Sequence, residues 1–311
     1  MKLIVGLFIL LLSTWLEAKP LNNIVIFGDS LSDNGNLYEL YKIPSSPPYF
    51  AGRFSNGPVW IEALVASYFH EKANAHLQNY AFGGAAVAKD DNDGTYSLKL
   101  ELDTYLGAHH DKAADNNLYV IWIGANNYLM TPSNVNDTLD LVNTGIKKSL
   151  RTLVKAGAKH IMLVNLPDLG TTPFPSQFYP KEEVPLIREQ LSSYTLKHNE
   201  LLAETINEFK QTNPEVKWLY FDVNSRFNEF LQKPERFGIR NFTEACYLSD
   251  TDKPLKNSML QIASRIQERV EPGDCEDYLF FDGVHPSART HKILAEQAKA
   301  YLEAEGVEFV N

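Results

Sequence analysis

Ser30 stands between an acidic residue and a leucine in VIFGDSLSDNGN, residues 25 to 36, where an apolar run from Ile24 to Phe27 breaks off at Gly28. A strand that ends in small and acidic residues brings its last side chains to the rim of a sheet, a place suited to a nucleophile. Taken alone, Gly28–Asp29–Ser30 is more simply a polar strand-to-helix turn with Asp29 or Ser30 as the cap. A Ser hydroxyl attacks only when a positioned base takes its proton, and a carboxylate commonly fixes that base's tautomer. The search therefore turns to the eight histidines. His70, His76, His160 and His198 fall in expected helices or at strand starts, where surface or packing roles suffice. His109 and His110 precede Asp111, but adjacent side chains rarely converge on one ion and no third metal ligand is evident. FFDGVHPS, residues 280 to 287, differs: Asp282 and His285 lie three apart in a Gly- and Pro-bounded loop that can present carboxylate and imidazole together.

Two other stretches offer hydrogen-bond donors for a negative charge developing on a substrate oxygen. NYAFGGAAV, residues 79 to 87, places Gly83 and Gly84 after a short β-rich run, where backbone N–H groups approach a ligand without Cβ interference. YVIWIGANNYL, residues 119 to 129, is an apolar strand ending at Gly124, with the Asn126 amide just beyond. Each has a plain alternative, a tight-packing glycine pair and an Asx turn. Only the ordered set of four stretches is specific.

The elements that must position these groups follow from alternation. Ile24–Phe27, His76–Tyr80, Leu118–Ile123, His160–Asn165 and Lys217–Phe221 read as strands, and Leu139–Lys155 and Pro185–Lys210 as amphipathic helices between the later ones. Strand–helix alternation predicts an α/β fold whose parallel sheet carries helices on both faces, with the site beyond the carboxyl ends of the strands. That edge is where Ser30, Gly84, Asn126 and Asp168 fall.

The chain has 311 residues, with 39 acidic against 29 basic side chains and a net charge of −10. Such a balance argues against nucleic-acid binding and against a basic patch for anionic lipid. Residues 1–18, with Lys2, an apolar run from Leu3 to Leu12 and Ala18, read as an export signal, leaving 19–311 as a single domain in a secreted or periplasmic protein. The two cysteines, Cys246 and Cys275, lack metal-ligand spacing and are expected to form a structural disulfide in an oxidising compartment. The segment 247–274 between them is expected to be an exposed excursion open to a secreted protease.

In these four stretches the sequence resembles the SGNH, or GDSL, family of serine esterases and lipases. The resemblance runs from FGDSLSDNGN to DGVHPS and places the family's nucleophile on Ser30, its oxyanion-hole residues on Ser30, Gly84 and Asn126, its acid on Asp282 and its base on His285. It implies a flavodoxin-like three-layer sandwich with a five-stranded parallel sheet in the order 2-1-3-4-5, and ester hydrolysis through an acyl-enzyme without cofactor or metal. Asn127 departs from the Asp common in the family's third block, which bears on the contacts that support Asn126. GRFSNGPVW, residues 52 to 60, is similar to a stretch of the family's lipolytic branch, that of secreted bacterial lysophospholipases and glycerophospholipid–cholesterol acyltransferases. The expected substrate is accordingly a fatty-acyl ester of a (lyso)phospholipid, met at a membrane or micelle surface, with acyl transfer to an alcohol or sterol as a second outcome. Tyr49, Phe50 and Phe54, in the Pro-rich loop after the nucleophile, are expected to line an acyl groove, although ordinary packing of that loop explains them equally well. A short-chain or carbohydrate esterase and a non-catalytic binding protein of the same fold are the competing readings.

Overall fold

A computed structural model describes residues 19–88, 96–129, 131–247 and 275–310. The expected export signal, 1–18, and almost all of the expected protease-sensitive segment lie outside those residues. Five strands form one parallel sheet: β1 (Asn23–Gly28), β2 (Leu77–Asn79), β3 (Asn117–Trp122), β4 (His160–Val164) and β5 (Lys217–Phe221), in the order β2-β1-β3-β4-β5. This is the flavodoxin-like arrangement. Its central strands, NIVIFG and NLYVIW, are buried along nearly their whole length, as parallel strands covered on both faces must be.

The helices are α1 (Asn36–Tyr41), α2 (Trp60–Phe69), α3 (Ala73–His76), α4 (Leu98–Ala108), α5 (Val135–Ala156), α6 (Phe174–Phe178), α7 (Val184–Thr212), α8 (Val223–Gln232) and α9 (Ala288–Ala304). α2 packs on α9, while α5 packs on both α4 and α7. These are the two outer layers that right-handed crossovers impose where the strand order reverses beside β1. α5 starts where the Asn134 side chain accepts the N–H groups of Asn136 and Asp137, and stops at Gly157 in the left-handed region.

The second strand is shorter than the sequence suggests. His76 closes α3 and stacks on Phe69, and after Asn79 the chain still runs beside β1, Tyr80 N–H donating to Ile26 O and Phe82 N–H to Gly28 O, while the Asn36 amide donates to the carbonyls of Asn79 and Ala81. An edge strand that pairs only with β1 can be this brief.

A feature absent from the sequence reading is a small parallel pair, β6 (Asn241–Ala245) with β7 (Tyr278–Phe280). Cys246 and Cys275 are joined in a disulfide between them. Beyond it the Cys246 N–H donates to Phe280 O and the Tyr247 N–H to Phe281 O. β7 leads directly into Asp282 and His285, so this cross-linked pair holds the root of their loop.

Candidate active site

Gly28 is the last residue of β1 in register with β3, opposite Trp122, and a Cβ there would sit 2.4 Å from the Trp122 carbonyl oxygen. Only glycine permits that approach, and it sets where Ser30 emerges. The N–H groups of Ser32 and Asp33 donate back to Asp29 O and close the turn. The Asp33 carboxylate then accepts from Gly35, Asn36 and Leu37 and, across the gap, from the Gly83 N–H. One buried side chain thereby couples the Ser30 turn to the Gly83–Gly84 loop.

His285 meets Ser30 across 255 residues of sequence. Its Nε2 lies 2.7 Å from Ser30 Oγ and its Nδ1 2.6 Å from Asp282 Oδ2. Asp282 Oδ1 accepts the N–H groups of Val284 (2.9 Å) and His285 (2.7 Å), so the short loop folds around its own carboxylate. Burial alone would raise the Asp282 carboxyl. The His285 imidazole, followed by the Tyr49 hydroxyl and the Val284 N–H, outweighs it and holds the group below its ordinary value. An ionised Asp282 accepts a hydrogen bond from the Nδ1–H, which leaves the Nε2 lone pair free to take the Ser30 proton.

Of the residues expected to form an oxyanion hole, Asn126 lines a cleft with Ser30 and His285, and its amide donates to Ala85 O at 2.8 Å. Gly84 has φ +78°, and the amides on either side of it are used within the loop, Gly83 to Asp33 and Ala85 to Phe82 O. Asn127 clasps the same loop: its Oδ1 accepts the Val87 N–H and its Nδ2 donates to Ala88 O. An Asp could supply only the first of these bonds, so the departure at 127 replaces one support of the Gly84 loop with two. Behind Asn126, the buried His198 ring packs under Gly124 and hydrogen-bonds the Tyr128 hydroxyl. Burial lowers the His198 pKa to about 4 and keeps the ring neutral near pH 7.

Ser30 and His285 open onto a cleft walled by Leu31, Trp122, Leu129, Leu169, Phe227 and Phe280. The rings expected to line an acyl groove do not line this cleft. Tyr49 and Phe54 are buried (2% and 3% exposed), Tyr49 bonded to Asp282 and the Phe54 ring 5.0 Å from the His285 ring, while Phe50 is on the surface. The rings of this Pro-rich loop instead pack behind the Asp282–His285 pair and shield it from water on that side.

GRFSNGPVW proves to be the joint between the two halves of the site. Ser55 Oγ donates to Pro286 O, Asn56 Oδ1 accepts the Ala288 N–H, and the Trp60 N–H donates to His291 Nδ1 while its indole N–H donates to Ser32 Oγ. The sequence marked this stretch only by resemblance.

Glu101, on α4, belongs to none of the motifs in the sequence and comes to the site only through the fold. It is fully buried, and its Oε2 accepts the Gly28 N–H at 2.8 Å. Burial, with Asp29 and Asp33 nearby, pushes the Glu101 carboxyl well above its usual range, and burial raises Asp29 to about 6. The folded protein thus retains the Glu101 proton at pH values where the unfolded chain releases it, and stability is lost as pH rises above about 4.5. In Glu101→Gln the uncharged amide still accepts from Gly28 and does not titrate. The melting-temperature difference, variant minus wild type, is expected to grow between pH 4.5 and pH 8; a difference independent of pH would contradict the placement of Glu101.

The GDSL-like lipase/acylhydrolase family model matches residues 24–298. The phosphatidylcholine-sterol acyltransferase of Aeromonas hydrophila is 32% identical over 324 residues, covering 93% of this chain and 92% of that protein. The thermolabile hemolysin of Vibrio parahaemolyticus is 28% identical and the secreted effector protein SseJ of Salmonella typhimurium 25%, each over 91% of this chain. This chain spans 64% of the length of each of those two. The match from 24 to 298 takes in Ser30 at one end and Asp282 and His285 at the other, and the chain belongs to the GDSL-like lipase/acylhydrolase family.

Proposed function

We propose that the protein is an exported acyl-ester hydrolase acting on fatty-acyl esters of phospholipids or lysophospholipids, with acyl transfer as a second outcome of the same intermediate. His285 Nε2 takes the Ser30 proton as Oγ attacks the ester carbonyl, and Asp282 holds the imidazolium that results. The oxyanion is met by the N–H groups of Ser30 and Gly84 and by the second amide hydrogen of Asn126. His285 returns the proton to the departing alcohol, leaving the acyl group on Oγ. Water, activated by His285, releases the fatty acid; an alcohol in its place takes the acyl group as a new ester.

The observation that carries this reading is the continuous relay Ser30 Oγ–His285 Nε2, His285 Nδ1–Asp282 Oδ2 beside a cleft walled by apolar side chains. That lining favours an alkyl chain over the acetyl group of a carbohydrate ester. The extended similarity to a protein named for acyl transfer from phosphatidylcholine to a sterol supports the transfer branch. The disulfide and the relative named as a secreted effector support export, with residues 19–311 as one working domain.

Product analysis with a lysophospholipid, a diacyl phospholipid and a short-chain p-nitrophenyl ester, each with and without a sterol, tests the proposal. Release of long-chain fatty acid, with sterol ester appearing when sterol is present, is the expected result. Turnover of the short-chain ester alone would favour the carbohydrate or short-chain reading, and no turnover the non-catalytic one.

A further inference from the structure

Tyr49 lies in the stretch between α1 and α2, 233 residues before Asp282, yet its hydroxyl donates to Asp282 Oδ2 at 2.5 Å. The same oxygen accepts from His285 Nδ1, while Oδ1 accepts from two backbone N–H groups. An ionised carboxylate has about four acceptor positions, and here all are occupied. The Tyr49 ring is held edge-on by Phe281 at 5.1 Å, Phe54 at 6.0 Å and Tyr247 at 6.3 Å. Tyr247 follows the disulfide-bonded Cys246, and its backbone N–H donates to Phe281 O. Three separate parts of the chain therefore converge on one phenol: the loop after α1, the cross-linked β6 end and the Asp282–His285 loop itself.

We propose that Tyr49 is a positioning residue for the reaction, its hydroxyl fixing the rotation and charge of Asp282 so that Oδ2 stays aimed at His285 Nδ1. The inference rests on Asp282 and His285 acting as described under Proposed function. Asp282 has backbone donors on Oδ1 only; without the phenol, Oδ2 is steered by the imidazole it is meant to steer. Burial and the neighbouring Asp282 raise the Tyr49 phenol well above its usual value, so it remains a donor across the working pH range. The other titratable groups facing the pair are Asp29 at the end of β1, His291 on α9 and, against Tyr49, Tyr247. None of them is altered by the variants below.

Tyr49→Phe removes the hydroxyl and keeps the ring. Loss of a bond to a charged group is expected to lower kcat about tenfold, with KM for a soluble p-nitrophenyl ester unchanged, because Tyr49 does not line the cleft. A carboxylate with one donor fewer attracts the imidazolium more strongly. The acidic limb of kcat/KM should then move to higher pH by roughly half a unit. Site-specific 3-fluorotyrosine at position 49, a stronger donor of nearly the same shape, should move that limb to lower pH and keeps the test open if Tyr49→Phe folds poorly. A raised KM with an unmoved limb, or both substitutions shifting the limb the same way, would overturn the proposal. Its failure is separable from failure of the triad itself: a collapse of turnover in His285→Asn beside an unchanged Tyr49→Phe profile rejects only the role of Tyr49.

Discussion

Replacing His285 with Asn is expected to lower kcat for ester hydrolysis by about four orders of magnitude or more, while the protein remains folded. Among the described residues, the imidazole is the one group that touches both Ser30 Oγ and the Asp282 carboxylate. The Asn amide has no basic nitrogen to take the Ser30 proton, and the seryl hydroxyl left behind is a weak nucleophile. The fold should survive because Asp282 Oδ1 keeps its backbone donors and the turn keeps the Phe281 N–H to residue 285 carbonyl bond. The melting temperature should nevertheless fall by a few degrees, since a buried carboxylate loses its charge-stabilising partner. Initial rates and thermal unfolding measured on the same preparation check both halves. Turnover within tenfold of wild type would remove His285 from the mechanism.

Asn126→Ala is expected to lower kcat by about 10²–10³-fold, with KM far less affected. One of its amide hydrogens is committed to Ala85 O, which orients the other and links the Asn126 turn to the residue after Gly84. The Ala variant therefore loses a donor to the developing oxyanion and also the strut that holds the second oxyanion element. Steady-state kinetics on a soluble ester separate the outcomes. An effect confined to KM would assign Asn126 to binding of the ground-state substrate.

The parts of this molecule that could be read from its sequence share a physical trait: each is repeated along the chain in a form that local chemistry dictates. β1 and β3 are continuous apolar runs because both faces of a parallel sheet are covered. The amphipathic run Leu139–Lys155 marks most of α5, which starts a turn earlier, at Val135, where the Asn134 side chain caps it. Asp282 and His285 lie in one short loop, so their pairing needs no tertiary information. What escaped was set by distant contacts. NFTEA is half polar and became a strand only because the Cys246–Cys275 bond and Phe280 carry a partner alongside it. Tyr49 and Phe54 were visible as rings in a Pro-rich loop, but whether such a ring faces substrate or backs the catalytic pair depends on chain more than 200 residues away. Glu101 carries no local signal of its role; its carboxyl is buried where it accepts the N–H of Gly28 at the end of β1, 73 residues earlier.

The central claim is that Ser30 becomes covalently acylated during turnover. Rapid acid quench of the protein turning over a p-nitrophenyl ester, followed by peptide mass spectrometry, tests it most directly. The account predicts the acyl mass on the peptide that carries Ser30, assigned to that residue by fragmentation and absent from Ser30→Ala. An acyl group on another side chain, or undiminished turnover in Ser30→Ala, would contradict it.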